Sequence, residues 1–165
     1  MKKFNKILMA VLTLCLAFAL TGCSDKKAEK KYYDDVMAAV NNASTANSTL
    51  ITDLQTFLSD VTNEDARTAT HKDLDTMEAE FTTLRDLKAP KIYKDAQVVF
   101  KEGAEAAIDG IAVYRKAIEG CTEETITDQE TFNTFEAAIG EGDEYMTTSN
   151  TKISEAAQIA DDAQK

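Results

Sequence analysis

Apolar side chains in this chain recur at alternating steps of three and four residues over four stretches, the spacing that lines one face of a bundle helix. The first stretch, about Lys27 to Asp60, places Tyr33, Val36, Val40, Ala43, Asn47, Leu50, Leu54, Phe57 and Val61 on one seam. Met37, Ile51 and Leu58 widen that stripe, so the helix faces more than one neighbour. The second, about Asn63 to Leu87, aligns Leu74, Met77, Phe81 and Leu84. Before it, Thr62-Asn63-Glu64-Asp65 has the Ser/Thr-x-x-acid chemistry that restarts a helix after a tight turn.

Pro90 ends the second stretch, because residues before proline avoid the α region, and it is favoured in the first turn of the next. The third stretch therefore begins there and reaches about Glu119, with Tyr93, Ala96, Phe100, Gly103, Ala107, Gly110, Tyr114 and Ala117 along its seam and Gly120 as the stop signal. A polar connection, Cys121 to Ile126, leads to Thr127-Asp128-Gln129-Glu130, read as a second capping box. The fourth stretch runs to about Asp162 with Phe132, Phe135, Ile139, Gly142, Met146, Ser149, Ile153, Ala156 and Ala160 in register. Short connections make successive helices antiparallel neighbours, so the pattern predicts an all-α domain over residues 32–165, an up-down-up-down four-helix bundle.

Residues 1–22 have a different character. Lys2, Lys3 and Lys6 precede an apolar run from Ile7 to Leu20, the basic and apolar regions of a secretory signal peptide. The run is shorter than the roughly 20 residues that span a bilayer. It ends in Leu20-Thr21-Gly22-Cys23. This tetrapeptide resembles the lipobox of bacterial lipoproteins, in which a small residue precedes a cysteine that receives a diacylglyceryl thioether before cleavage. The resemblance implies that Cys23 is the lipid-bearing first residue of the mature protein, with Leu20, Thr21 and Gly22 as the recognition residues, and that the domain is held to the extracytoplasmic face of a cell membrane. The joint Leu87-Lys88-Ala89-Pro90-Lys91-Ile92-Tyr93 is similar to the hairpin turn of small helical lipoproteins of Gram-positive bacteria over about residues 80–118; that likeness implies a helical hairpin and no activity.

Between Cys23 and the first seam residue lies a short basic segment containing Lys26, Lys27, Lys30 and Lys31. Positive charge opposes the macrodipole at a helix N-terminus, so residues 23–31 read as a tether, either solvated or laid against anionic lipid head groups. The chain has 18 basic and 29 acidic residues, a net −11; Lys2, Lys3 and Lys6 lie before Cys23 and no acid does, which leaves −14 from Cys23 onward. That balance argues against nucleic acid as a partner and fits solubility or a cationic partner. Of three cysteines, Cys15 leaves with the signal and Cys23 is lipidated, so Cys121 remains as a small hydrophobe without a disulfide partner.

Tests for catalytic equipment return little. A di-iron bundle needs Glu-x-x-His on two helices, and this chain has one histidine, His71, with Thr68 three residues before it. Covalent haem needs Cys-x-x-Cys-His, zinc needs several Cys or His ligands, and a hydrolytic triad would have to be built on the same histidine. Glu141, Asp143 and Glu144 lie near Gly140 and Gly142 without EF-hand spacing. No metal, cofactor or enzymatic activity is expected.

One constellation stands apart. Folding the hairpins about residues 61–62 and 89 brings Asn47, Met77, Gly103 and the stretch Met146 to Ser149 to one height, with Gly110 nearby. Asn47, Gly103, Gly110 and Ser149 then form either a close-packed, hydrogen-bonded layer that fixes register or a small pocket for a polar ligand. Two functions follow: a non-enzymatic module that binds a protein or cell-envelope component, or a small-molecule-binding, sensor-like bundle. A packed middle favours the first; a cavity of about 300 Å³ or more favours the second.

Overall fold

Five helices and one 3-10 turn account for nearly all of residues 26–164, the part of the chain described by the computed structural model. It is all-α, with no strand among the described residues. The segment expected as a signal peptide, and the tetrapeptide Leu20-Thr21-Gly22-Cys23 expected as a lipobox, lie outside the described residues.

Helix α1, Lys26–Ser59, buries Val36, Val40, Ala43, Asn47, Leu50, Leu54 and Phe57, with Val61 buried just beyond its end. Two expectations are corrected at its start. The basic segment expected as a tether is helical from Lys26. Lys30 pairs with Asp34 at 2.6 Å and Lys31 with Asp35 at 2.5 Å, one turn on, and Glu29 adds an acid to the first turn, which together offset the unfavourable charge. The first seam residue is Tyr32, not Tyr33. A 3.6-residue helix drifts against a heptad, so stepping back from Val36 either position is open. Tyr32 is chosen because its ring stacks on Tyr93 at 5.3 Å and its Oη donates to Gln97 Oε1 at 2.6 Å.

Helix α2, Glu64–Asp86, starts at Asn63, whose Oδ1 accepts from the Ala66 N–H at 3.0 Å. Asn63 and not Thr62 is the cap, because Thr62 is held in the preceding turn, donating its N–H and hydroxyl to Asp60 Oδ1. Pro90 opens a 3-10 turn, Lys91–Tyr93, and the α-helix proper, α3, spans Lys94–Glu119. The third α-helix thus begins one tight turn later than expected.

The polar connection after α3 holds a fifth, short helix, α4, Glu123–Thr127. Its capping box joins Thr122 and Thr125, since Thr122 N donates to Thr125 Oγ1 at 3.0 Å and Thr125 N to Thr122 Oγ1 at 3.4 Å. The box expected at Thr127 does not form. The Thr127 hydroxyl is spent on the Glu123 carbonyl at 2.7 Å, and α5, Gln129–Asp162, is capped instead by Asp128, which accepts from the N–H groups of Glu130 and Thr131. All nine expected seam residues of α5 are buried. On α3 the seam is buried except Ala117, which is half-buried; Ala104, Ile111 and Ile118 widen it.

Cross-helix contacts set direction and register. Asn42 donates to Glu80 at 3.1 Å, and Arg115 grips Asp75 and Glu78 at 2.7 and 2.8 Å while Gln97 reaches the Leu84 carbonyl at 2.9 Å. From Gly103 to Tyr114, α3 meets α5 from Ile153 back to Gly142. The contacts of α3 with α5 thus advance along one helix as they retreat along the other, and the short α4 packs on α5.

Polar clamps close both ends. At the α1 start, Gln97 accepts from Tyr32 and donates to the last carbonyls of α2, Leu84 and Arg85. At the other end Arg67 lies over the Phe57 ring at 4.7 Å and donates to the carbonyls of Val61, Ile118 and Cys121. A guanidinium is well placed there, because the last carbonyls of a helix carry partial negative charge.

Candidate functional site

Asn47, Gly103, Gly110 and Ser149 are all buried. At the start of α1, Tyr32 lies beside Tyr93 and Gln97.

Gly103 and Ser149 do meet. A methyl group on Gly103 would stand 2.9 Å from Ile153 Cγ1, 3.1 Å from Lys152 Cβ and 3.2 Å from the Ser149 carbonyl oxygen. One on Gly110 would stand 2.8 Å from Tyr145 Cβ and 3.1 Å from the Gly142 carbonyl oxygen. Gly142 in turn lies under the Tyr114 ring, so closely that a methyl there would enter it. Small residues on both helices thus let the α3 and α5 backbones approach, which answers the cost of about 1 kcal/mol per interior glycine. Ser149 Oγ is buried and makes no hydrogen bond among the described residues, so serine serves this contact by its size.

Of the two alternatives, a packed layer or a pocket, the close approach of Gly103 to Ser149 and Ile153 fits the packed one. Neither of the two cavities in the described residues that we delineate is lined by Asn47, Gly103, Gly110 or Ser149. The larger, about 460 Å³, is an open groove at the Arg67 end, between the last turns of α3, the short α4 and the first turns of α5. Phe135, Val113, Ala117 and Ala138 give it an apolar floor; Thr125, Thr131 and Thr134 add hydroxyls, and Lys116 and Glu141 stand beside it.

The titratable groups have structural partners. The Tyr114 hydroxyl donates to Asp143 at 2.5 Å, and burial, reinforced by that carboxylate, pushes the phenol well above its ordinary range. Asp143 is thereby drawn to Tyr114, while Glu141 and Glu144 are exposed, so the three acids do not converge. Among the described residues no three His, Cys, Asp or Glu side chains could hold a metal ion together. His71 is half-buried on α2. Cys121 is buried, which raises its thiol against the opposing influence of Arg67 and Thr125 and leaves little thiolate for chemistry.

One acid is held unfavourably. On α2, Asp73 faces Thr49 and Asp53 of α1; burial and then the Asp53 carboxyl raise its pKa, although the Thr49 hydroxyl works the other way. A carboxyl whose folded pKa is raised favours folding below its unfolded pKa, and that contribution is lost as pH climbs through the folded value. Asp73→Asn is therefore expected to be more stable than the parent at neutral pH, with the difference shrinking as pH falls through the raised pKa. Melting temperatures of both proteins from pH 7 to pH 4 test this; a constant difference would show that ionisation of Asp73 is not its cause.

No protein-family model matches this chain, and neither does a curated protein or a solved structure.

Proposed function

We propose that this chain is a bacterial lipoprotein, anchored through lipid on Cys23 to the extracytoplasmic face of the cell membrane, and that its helices form an up-down-up-down bundle serving as a non-enzymatic interaction module. The carrying observation is the position of Cys23: it closes Leu20-Thr21-Gly22-Cys23 at the end of the Ile7–Leu20 apolar run, three residues before α1 begins. No helix among the described residues is long and apolar enough to cross a membrane, so on this reading retention rests on acyl chains. Two or more such chains suffice.

The interaction role draws support from the tight contact of α3 and α5. An interior filled by Gly103 against Ile153 and Gly142 against Tyr114 leaves the surface to meet partners. The partner on this reading is a protein or cell-envelope component, not nucleic acid, given the net −14 from Cys23 onward, which is the chain's −11 less the three positive charges of Lys2, Lys3 and Lys6. A second reading, small-molecule sensing, has one observation in its favour: the groove beside Phe135 exceeds the size of about 300 Å³ at which ligand pockets begin.

Replacing Cys23 tests the anchor. Cys23→Ser is expected to abolish metabolic labelling by fatty acid and to leave an unprocessed precursor or free protein. Labelling that survives the substitution overturns the lipoprotein reading. Cross-linking of the anchored protein to its neighbours then tests the interaction module, and ligand-induced shifts in melting temperature, lost on Phe135→Trp, test the alternative.

A further inference from the structure

The end of the helical body nearest Cys23 differs from the rest in charge. Stacking of Tyr32 on Tyr93 brings the α2–α3 connection alongside the start of α1. That connection, Lys88-Ala89-Pro90-Lys91-Ile92-Tyr93-Lys94, contains no acid, and Lys88, Lys91 and Lys94 are all exposed. Lys27, Lys30 and Lys31 are exposed on the first turns of α1, so two basic segments far apart in sequence share one end. Their neighbouring acids are largely engaged: Asp34 and Asp35 by Lys30 and Lys31, Asp86 by Arg85, while Glu29 is buried. Among the described residues, Asp95 on the first turn of α3 and Asp161 and Asp162 on the last turn of α5 add counter-charge. Ile92 stands exposed between the lysines, one of three large hydrophobic side chains so placed among the described residues. In a protein of net −11, Ile92 is thus an exposed apolar side chain set among lysines.

We infer that this end, formed by the start of α1 and the Lys88–Lys94 connection, is a docking surface for an anionic lipid bilayer, with Ile92 entering the head-group layer. The inference rests on the lipid-anchor reading, which puts the acyl chains only three residues from α1. Charge complementarity and the direction of the chain toward Cys23 select the bilayer as occupant. Each lysine near an anionic membrane contributes a factor of about five in occupancy, so the three connection lysines together favour the docked orientation on the order of a hundredfold. The acidic remainder and the groove beside Phe135, at the opposite end, then point away from the lipid.

The chain has no tryptophan, so Ile92→Trp supplies a single fluorophore at the surface in question, and Glu119→Trp one at the far end. The full-length protein, processed in a bacterial host, is reconstituted on neutral phosphatidylcholine vesicles and on vesicles containing phosphatidylglycerol, each carrying brominated lipid. Quenching of Ile92→Trp is expected to be several-fold stronger on the anionic vesicles, to fall to the neutral level when Lys88, Lys91 and Lys94 are changed to Gln, and to weaken with salt; Glu119→Trp stays unquenched throughout. Equal quenching of Ile92→Trp on both lipids, or no response to the three Gln changes, overturns the docking surface. Flotation separates the two readings. Protein that fails to float with neutral vesicles lacks the anchor, and the same preparation on anionic vesicles still reports whether the lysine surface binds: flotation there upholds the surface without the anchor, and its absence rejects both.

Discussion

Phe81→Ala is expected to lower the free energy of unfolding by about 3–5 kcal/mol, the range for truncating a fully enclosed phenylalanine. Phe81 sits on the buried stripe of α2 between Met77 and Leu84, all three almost wholly withdrawn from solvent. The α2 backbone is pinned on both sides, to α1 by Asn42–Glu80 and to α3 by Arg115 on Asp75 and Glu78, so the helix has little freedom to collapse into the space left. Phe135 makes a useful comparison. It is buried on α5 but borders the open groove, so solvent can fill part of what Phe135→Ala removes, and the expected loss falls to about 2–3 kcal/mol. Urea denaturation followed by circular dichroism measures both, with an unchanged slope showing that the unfolded states are comparable. Losses under about 1 kcal/mol at both positions would mean that these side chains do not carry the core.

The seam positions were legible in the sequence because burial on a helix is a matter of period, and period survives without knowledge of partners. Every expected seam residue of α2 and α5 is buried. Helix ends were less legible, since a cap is decided by which of several adjacent oxygens reaches an N–H first. Thr62, Asn63 and Asp60 all had suitable side chains, and Asn63 took the cap once Asp60 had engaged Thr62. The helix Glu123–Thr127 was missed because five residues are too few to display a period. The start of α3 was misplaced for a related reason. The 3-10 turn at Lys91–Tyr93 has no apolar signature of its own, yet it delays the start of the α-helix proper to Lys94. The groove beside Phe135 combines residues from three helices, and no single stretch announces it.

The second large effect concerns Gly142. Gly142→Ala adds one methyl and improves helix propensity, by which it should gain about 1 kcal/mol. It is expected instead to destabilise by about 3 kcal/mol, at the upper end of the usual cost of overpacking. The methyl would enter the Tyr114 ring, and that ring cannot swing clear: it is wholly buried, and its hydroxyl is held by Asp143 on the same helix as Gly142. Relief would require either breaking that hydrogen bond inside the body or pushing α5 off α3, which would also open the contacts of Gly103 with Ile153 and of Gly110 with Tyr145. Gly140, two residues earlier, provides the control. Nothing lies within 4 Å of where its methyl would go, so Gly140→Ala is expected to stabilise by about 1 kcal/mol through propensity alone. The double variant Gly142→Ala with Tyr114→Leu separates the causes: removing the ring should recover part of the loss only if the ring is the obstacle. If Gly142→Ala matches Gly140→Ala in stability, α3 and α5 do not approach as closely as the Tyr114–Gly142 contact requires, and the closed interior invoked for an interaction module goes with it.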